Sequence, residues 1–172
     1  MMNFELSPRR MFAGFALIPL ALLAEALILQ HLKGQAPCPL CVMQRAGFLL
    51  IALIALVALI RQPRGRSAAG YFAAVALTAV AGLGVAIRHV WLLYHPKFGC
   101  GIDVLEQFVN DLPTAKLAPW LFHARGECTA PHEPILGLQV PEWSVICFSL
   151  LLLAAIFFAF KSSSVARVRA MA

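Results

Sequence analysis

Four apolar runs, separated by short polar punctuation, set the plan of this chain. Residues 11–32, 42–60, 68–93 and 143–160 are each nearly free of charge. Roughly 17–25 apolar residues in a helix cross the hydrocarbon layer of a bilayer. Each run therefore predicts a membrane span. The punctuation between them is of two kinds. Arg61-Gln62-Pro63-Arg64-Gly65-Arg66 is a tight basic turn, in which Pro63 and Gly65 break the helix. The link at 94–142 is the one long connection, and it holds six acidic residues, Asp103, Glu106, Asp111, Glu127, Glu133 and Glu142, of the eight in the chain. Inside it Ile102, Leu105, Phe108, Val109 and Leu112 recur at helical spacing with polar residues between them. That pattern predicts a short amphipathic helix on the membrane surface. Trp120-Leu121-Phe122 reads as a second interfacial anchor.

Within the third run Ala74, Thr78, Gly82 and Ala86 recur every fourth residue. A small-residue face of this kind lets a neighbouring helix approach closely. The first run follows Arg9-Arg10, which raises a cleaved signal peptide as an alternative. Its length and the poor cleavage site at Ala24-Glu25-Ala26 favour a retained signal-anchor span.

Composition agrees with the pattern. Of 172 residues 61% are hydrophobic and 13% charged, with mean hydropathy +0.82. Soluble domains are nearer about half apolar and a quarter charged. The expected fold is an all-α membrane protein, a four-transmembrane-helix bundle with a short amphipathic helix in its second outer loop. The whole chain, 1–172, makes one integral membrane domain.

The formal charge of +6 points to topology rather than to nucleic acid, because the basic residues sit at the ends of the apolar runs. Arg9, Arg10, Arg61, Arg64, Arg66, Lys161, Arg167 and Arg169 fall on one side. Lys33, Lys97, Lys116 and Arg125 are spread thinly on the other. The positive-inside rule then places both termini and the 61–67 turn in the cytoplasm, and loops 33–41 and 94–142 outside. Cys38, Cys41, Cys100 and Cys128 all share that outer, oxidising side.

Cys38-Pro39-Leu40-Cys41 is a C-x-x-C at the mouth of the second span. Pro39 suits the first turn of a helix, so the helix N-terminus falls at the dithiol and favours a thiolate on one of the two sulfurs. Arg45 lies one turn further on the same face. A charge at that depth either snorkels to lipid headgroups or anchors a polar ligand. Arg88 and His89, near the outer end of the third span, lie at a similar depth. Two arginines and a histidine converging there suit an amphipathic ligand with carbonyl oxygens, and a membrane quinone fits. A hydrogen-bonded structural role for His89 stays open beside this. Cys100 and Cys128 form either a structural staple of about 3–4 kcal/mol or an exchangeable pair. Gly99 and Gly101 expose the sulfur of Cys100 and favour exchange. A zinc site using the four loop cysteines is disfavoured because no second C-x-x-C is present, and no metal is expected. Cys147 reads as a small core residue, and Glu25 as a costly mid-span carboxylate that pairs with another span or tunes a proton path.

Together these features resemble the bacterial disulfide-bond formation protein B (DsbB) family. The likeness covers nearly the whole chain. It also includes residues 25–31 and 84–93, Gly126-Glu127-Cys128 and Pro141-Glu142-Trp143. The resemblance implies a thiol:quinone oxidoreductase of the bacterial inner membrane. Such an enzyme reoxidises the periplasmic dithiol oxidase DsbA and passes two electrons to ubiquinone or menaquinone. It implies that Cys100 forms the mixed disulfide with DsbA, that Cys128 passes the exchange to Cys38, and that Cys41 faces the quinone ring. Arg45 would hold the quinone, with His89 as a second contact. Gln44 stands where the family often has an acidic residue. The alternatives are a vitamin K epoxide reductase-like enzyme, whose quinone-proximal C-x-x-C comes later in the bundle, and a non-enzymatic zinc-binding membrane protein.

Overall fold

A computed structural model describes residues 8–98, 102–130 and 134–171, apart from the side chains at 102–103 and 165–171. Cys100, and the side chains of Arg167 and Arg169 counted in the charge asymmetry, lie outside the described residues. The chain runs through α1 (Pro8–Leu32), α2 (Pro39–Arg61), α3 (Arg66–Tyr94), α4 (Ile102–Asp111), α5 (Pro113–Leu117), α6 (Pro119–Phe122) and α7 (Val140–Met171), with a 3₁₀ turn at Pro96–Phe98. Among the described residues there is no strand, only an isolated bridge between Ile135 and Leu138. Among the described residues four helices are long and apolar enough to cross a membrane: α1, α2, α3 and Val140–Ser164 of α7. The protein is therefore a multi-pass, four-helix membrane bundle. Each helix runs a few residues past its apolar run, because capping residues and the first polar turn continue the helical hydrogen bonds.

The turn between α2 and α3 forms as the Pro and Gly positions require. Gln62 closes α2 in the left-handed region, with its N–H donating to the Ala58 carbonyl at 2.8 Å. Gly65, at φ +57°, opens α3. α3 packs along α7 and α2, and α1 along α2.

The buried stripe of α3 is Ala68, Phe72, Val75, Ala79, Gly82, Ala86, His89 and Leu92. From Ala68 to His89 its spacing alternates between four and three, the repeat that keeps one seam facing a partner helix. This corrects the face expected from the small residues. Gly82 and Ala86 lie in the seam, whereas Ala74 and Thr78 are only half-buried. A strict four-residue spacing drifts round a 3.6-residue helix, so its earlier members rotate out of contact. At the seam's centre the Phe148 ring of α7 stacks on Phe48 at 4.0 Å. A methyl group added at Gly82 would overlap that ring, and one at Gly47 would lie 3.2 Å from it. Two glycines on two helices thus make the room for one aromatic ring. Phe12, Phe15 and Phe72 build a second aromatic layer, with Phe12 stacked on Phe72 at 4.3 Å.

The long connection is folded against the end of the bundle that carries the cysteines. Val109 of α4 is buried with Val42, Ala115, Leu121, Phe122 and Ala124. Val104 and Phe108 point away from the bundle and are exposed. α4 therefore carries the expected amphipathic pattern, with one apolar row turned inward and another outward. The anchor expected at 120–122 is divided. Trp120 is exposed, but Leu121 and Phe122 are core residues, because the short α6 packs against α2.

Candidate functional site

Cys38 is the N-cap of α2. Its backbone is extended, at φ −80° and ψ 165°, and its sulfur accepts the N–H of Cys41 at 3.3 Å. Serine or aspartate usually makes this bond through oxygen. Here a thiol makes it, and Pro39 at the first helical position needs no partner for its nitrogen. The cap folds the C-x-x-C back on itself. The Cys38 thiol donates to the Cys41 sulfur at 3.1 Å, and both cysteines are free thiols. The bond to Cys41, and then burial, hold the Cys38 thiol well above the usual thiol range. The proton stays on Cys38, and Cys41 is the acceptor of the pair.

His89 of α3 stands against this pair and is 3% exposed. Its Nε2 lies 3.6 Å from the Cys38 sulfur and 3.2 Å from the Cys128 carbonyl oxygen. Its Nδ1 lies 3.1 Å from the Gln44 side-chain nitrogen and 4.0 Å from the Cys41 sulfur. With the proton on Nε2, the ring donates to the Cys128 carbonyl and accepts from Gln44. The histidine expected either to contact the ligand or to hold a structural hydrogen bond touches the C-x-x-C and the second loop together.

Cys128 is buried and disulfide-bonded, and it packs with Cys38, Leu40 and Leu92. Its expected partner, Cys100, is outside the described residues. The backbone brings Cys128 to this place. The N–H groups of Arg125 and Gly126 both donate to the Pro37 carbonyl at 3.0 Å. A side chain at Gly126 would collide with the Ala36 carbonyl, so only glycine permits this approach. Asn110 holds the same segment from α4: its amide donates to the Ala124 carbonyl at 3.0 Å and its oxygen accepts the Ala124 N–H at 2.8 Å.

Arg45 does not snorkel. It is 7% exposed and spends its donors on neutral acceptors: Gln30 Oε1 at 2.6 Å, the Leu121 carbonyl at 3.0 Å and the Ala26 carbonyl at 3.2 Å. Gln30 in turn donates to the Trp120 carbonyl at 3.0 Å. α1, α2 and the α5–α6 segment are thereby tied to one guanidinium whose bonded partners carry no charge.

Cys41, Gln44, Arg45 and His89 open on a single cavity of about 410 Å³. Its other walls include Leu22, Leu29, Phe48 and Trp143, with Glu25 and Cys147 at positions on α1 and α7. Ligand sites are typically apolar clefts of roughly 300–1,000 Å³ with a few converging polar groups. A lipid-soluble ring with carbonyl oxygens matches this wall, since Arg45 and Gln44 supply donors and most of the other lining residues are apolar.

The structure gathers Cys38, Cys41, Cys128, Arg45 and His89 at one end of the bundle. It does not bring Arg88 with them. Arg88 is exposed, and its guanidinium lies 4.5 Å over the Trp91 ring. Adjacent helical residues are about 100° apart, so burying His89 turns Arg88 outward. Cys147 is half-buried, packed against the core as expected and also on the cavity wall, and Glu25 is exposed on the same wall, above mid-span. Gln30, Asn110 and Gly126 were not expected as site residues. Gln30 carried a faint signal, as a lone amide at the end of an apolar run. Asn110 lies on α4 as one polar residue among several, and Gly126 figures only in the likeness at Gly126-Glu127-Cys128, with no contact assigned to it.

The chain matches the family model "Disulfide bond formation protein DsbB" over residues 8–158. It is 45% identical over 157 residues to disulfide bond formation protein B of Herminiimonas arsenicoxydans, covering 91% of this chain and 98% of that protein. It is 46% identical over 149 residues to the Cupriavidus necator protein of the same name, covering 87% and 91%. Similarity extends to disulfide bond formation protein B 1 of Pseudomonas fluorescens, with 43% identity over 145 residues and 84% and 85% coverage.

Proposed function

Because the chain belongs to the DsbB family of disulfide bond formation proteins, we propose that it is the thiol:quinone oxidoreductase of a bacterial inner membrane. In this reading it reoxidises a DsbA-like periplasmic dithiol, and its cysteine end faces the periplasm. The observation that carries the reading is the placement of the Cys41 side chain on the wall of an apolar cavity, beside Arg45 and Gln44. Arg45, Gln44 and His89 would hold the carbonyl oxygens of the ligand. When bound, a quinone supplies a lipid-soluble acceptor for two electrons.

The protein's own residues then do the following. A partner thiolate attacks Cys100, and the Cys128 sulfur leaves. Cys128 attacks Cys38 of the oxidised C-x-x-C, and Cys41 leaves as a thiolate on the cavity wall. The N-terminus of α2 and the Arg45 charge offset the negative charge on that sulfur. The second thiol of the partner closes its own disulfide and frees Cys100, which re-forms its bond to Cys128 and releases Cys38. The balance is one partner dithiol oxidised and one Cys38–Cys41 disulfide reduced. His89 lines the same wall and offers an imidazole that can pass a proton, whereas the Gln44 carboxamide there can only hydrogen-bond.

The decisive experiment follows quinone absorbance in the presence of a reduced DsbA-type protein. Wild type should reduce ubiquinone or menaquinone stoichiometrically. Cys41→Ser should lower turnover by at least about 10³-fold while the protein remains folded, because a nucleophile is lost. Retained quinone reduction by Cys41→Ser would remove Cys41 from the reaction.

A further inference from the structure

Cys38, Cys41 and His89 have a property that electron transfer does not use. Their two sulfurs and the nearest imidazole nitrogen lie within 4.8 Å of one another, with Cys38 and His89 buried and Cys41 half-buried. We infer that the reduced C-x-x-C and His89 form a capture site for a soft divalent cation, zinc or cadmium, and that capture arrests the protein in its dithiol form.

Tetrahedral zinc has Zn–S near 2.3 Å and Zn–N near 2.0–2.1 Å, so its ligand atoms stand about 3.6–3.8 Å apart. The Cys38 sulfur and His89 Nε2 are already 3.6 Å apart. The two sulfurs, at 3.1 Å, must open by a fraction of an ångström, and the Cys41 sulfur, now 4.0 Å from Nδ1, must close on Nε2. Thiolate and imidazole are the donors that zinc and cadmium prefer. Charge balance is favourable as well. Two thiols release two protons, the two thiolates neutralise the divalent ion, and no net charge is added beside Arg45. No electron moves. The supporting shell is in place, because His89 Nδ1 faces the Gln44 carboxamide at 3.1 Å. Amide orientation follows the hydrogen-bond network. With the amide turned over, its oxygen accepts the Nδ1 proton and Nε2 becomes the ligand, exchanging its bond to the Cys128 carbonyl for the metal. Cys41 and His89 line the cavity, which supplies a path in for the ion. A disulfide has no thiolate to offer, so the oxidised pair cannot bind. This differs from a four-cysteine zinc site, since Cys128 is engaged in its own disulfide.

The inference goes beyond the quinone reading, and its test needs no turnover. Full-length protein in detergent, carrying Cys100→Ser and Cys128→Ser so that the second pair cannot compete, is titrated anaerobically with cobalt(II). The dithiol form should take up one cobalt with the intense visible bands of a tetrahedral thiolate–imidazole site, and zinc should displace them. The same protein with Cys38–Cys41 oxidised should show none. His89→Ala should weaken binding more than about tenfold. Absence of tetrahedral bands in the reduced protein, equal bands in the oxidised protein, or unchanged affinity in His89→Ala would each overturn the site. So would loss of the signal in Cys147→Ser, which would move the metal to the far cavity wall. Should His89→Ala fail to fold, the comparison of the two redox forms decides alone. In wild type, zinc added to the reduced protein should stop its reoxidation, and a chelator should restore it; reoxidation at an unchanged rate would refute the arrest. If quinone reduction proved absent altogether, the cobalt result would still stand or fall on its own.

Discussion

At the scale of single residues, the arrangement of Arg45 separates two ways in which one charge can serve a site. Its three hydrogen bonds all go to neutral groups, so the charge itself remains available to a ligand on the cavity wall. Arg45→Ala should raise the quinone KM by about 10–100-fold, the range expected when a charged hydrogen bond of roughly 1.5–3 kcal/mol is lost. Gln30 does not touch the same point of the cavity but fixes where the guanidinium sits, through 2.6 Å and 3.0 Å bonds to Arg45 and to Trp120. Gln30→Ala should therefore raise the quinone KM several-fold with kcat nearly unchanged, and Gln30→Glu should partly restore it by supplying an acceptor. Steady-state kinetics with varied quinone checks both. An equal fall in kcat for Gln30→Ala would mean that the bundle, not the arginine, had been disturbed.

At the scale of elements, α3 shows how a helix serves packing and chemistry with one stripe. Its alternating four- and three-residue spacing carries Phe72, Val75, Ala79 and Gly82 into the bundle and ends on His89. The ring of Phe148 registers α7 against that stripe through Gly82, where an added methyl would overlap it. Gly82→Ala should cost about 1–3 kcal/mol, as overpacking does, and should lower the thermal midpoint in detergent. Phe148→Leu in the same chain should recover most of that loss, because it removes the atoms in the way. No recovery would show that the clash lies elsewhere. α2 makes a complementary point. Its apolar sequence needs little to become a helix, but its first turn is set by a cysteine cap and a proline, so that the reactive pair and the helix end are one feature.

At the scale of the whole molecule, the relation between the two outer loops decides whether two cysteine pairs can work together. Arg125 and Gly126 hang from the Pro37 carbonyl, next to Cys38, and Asn110 braces the same segment from α4. Gly126→Ala should push this segment off Pro37. The expected result is slower delivery of electrons from the second loop to Cys38, by about tenfold or more, with the quinone KM unchanged. Rapid mixing with a reduced DsbA-type protein would separate fast reduction of the loop disulfide from delayed reduction of quinone. An unchanged second phase would mean that the loops exchange without this contact. Much of the molecule was legible beforehand. Four apolar runs specify four spans, because a bilayer leaves no other way to satisfy the backbone of such a segment. The same physics makes Pro39 a helix start and Pro63-Arg64-Gly65 a turn. Cysteine spacing and the spread of arginines marked where chemistry could occur. Which residues meet was another matter. Arg88 and His89 are neighbours in sequence with equal claims as ligands, and only the facing of α3 toward α7 and α2 buries one and exposes the other. Gly126, Asn110 and Gln30 act through contacts across 90 residues or fewer of intervening chain. Hydrophobic pattern is a local property and determines elements on its own. The meeting of Cys38, Cys128 and His89 depends on helix rotation and loop docking, which side-chain packing settles only once all four helices are assembled.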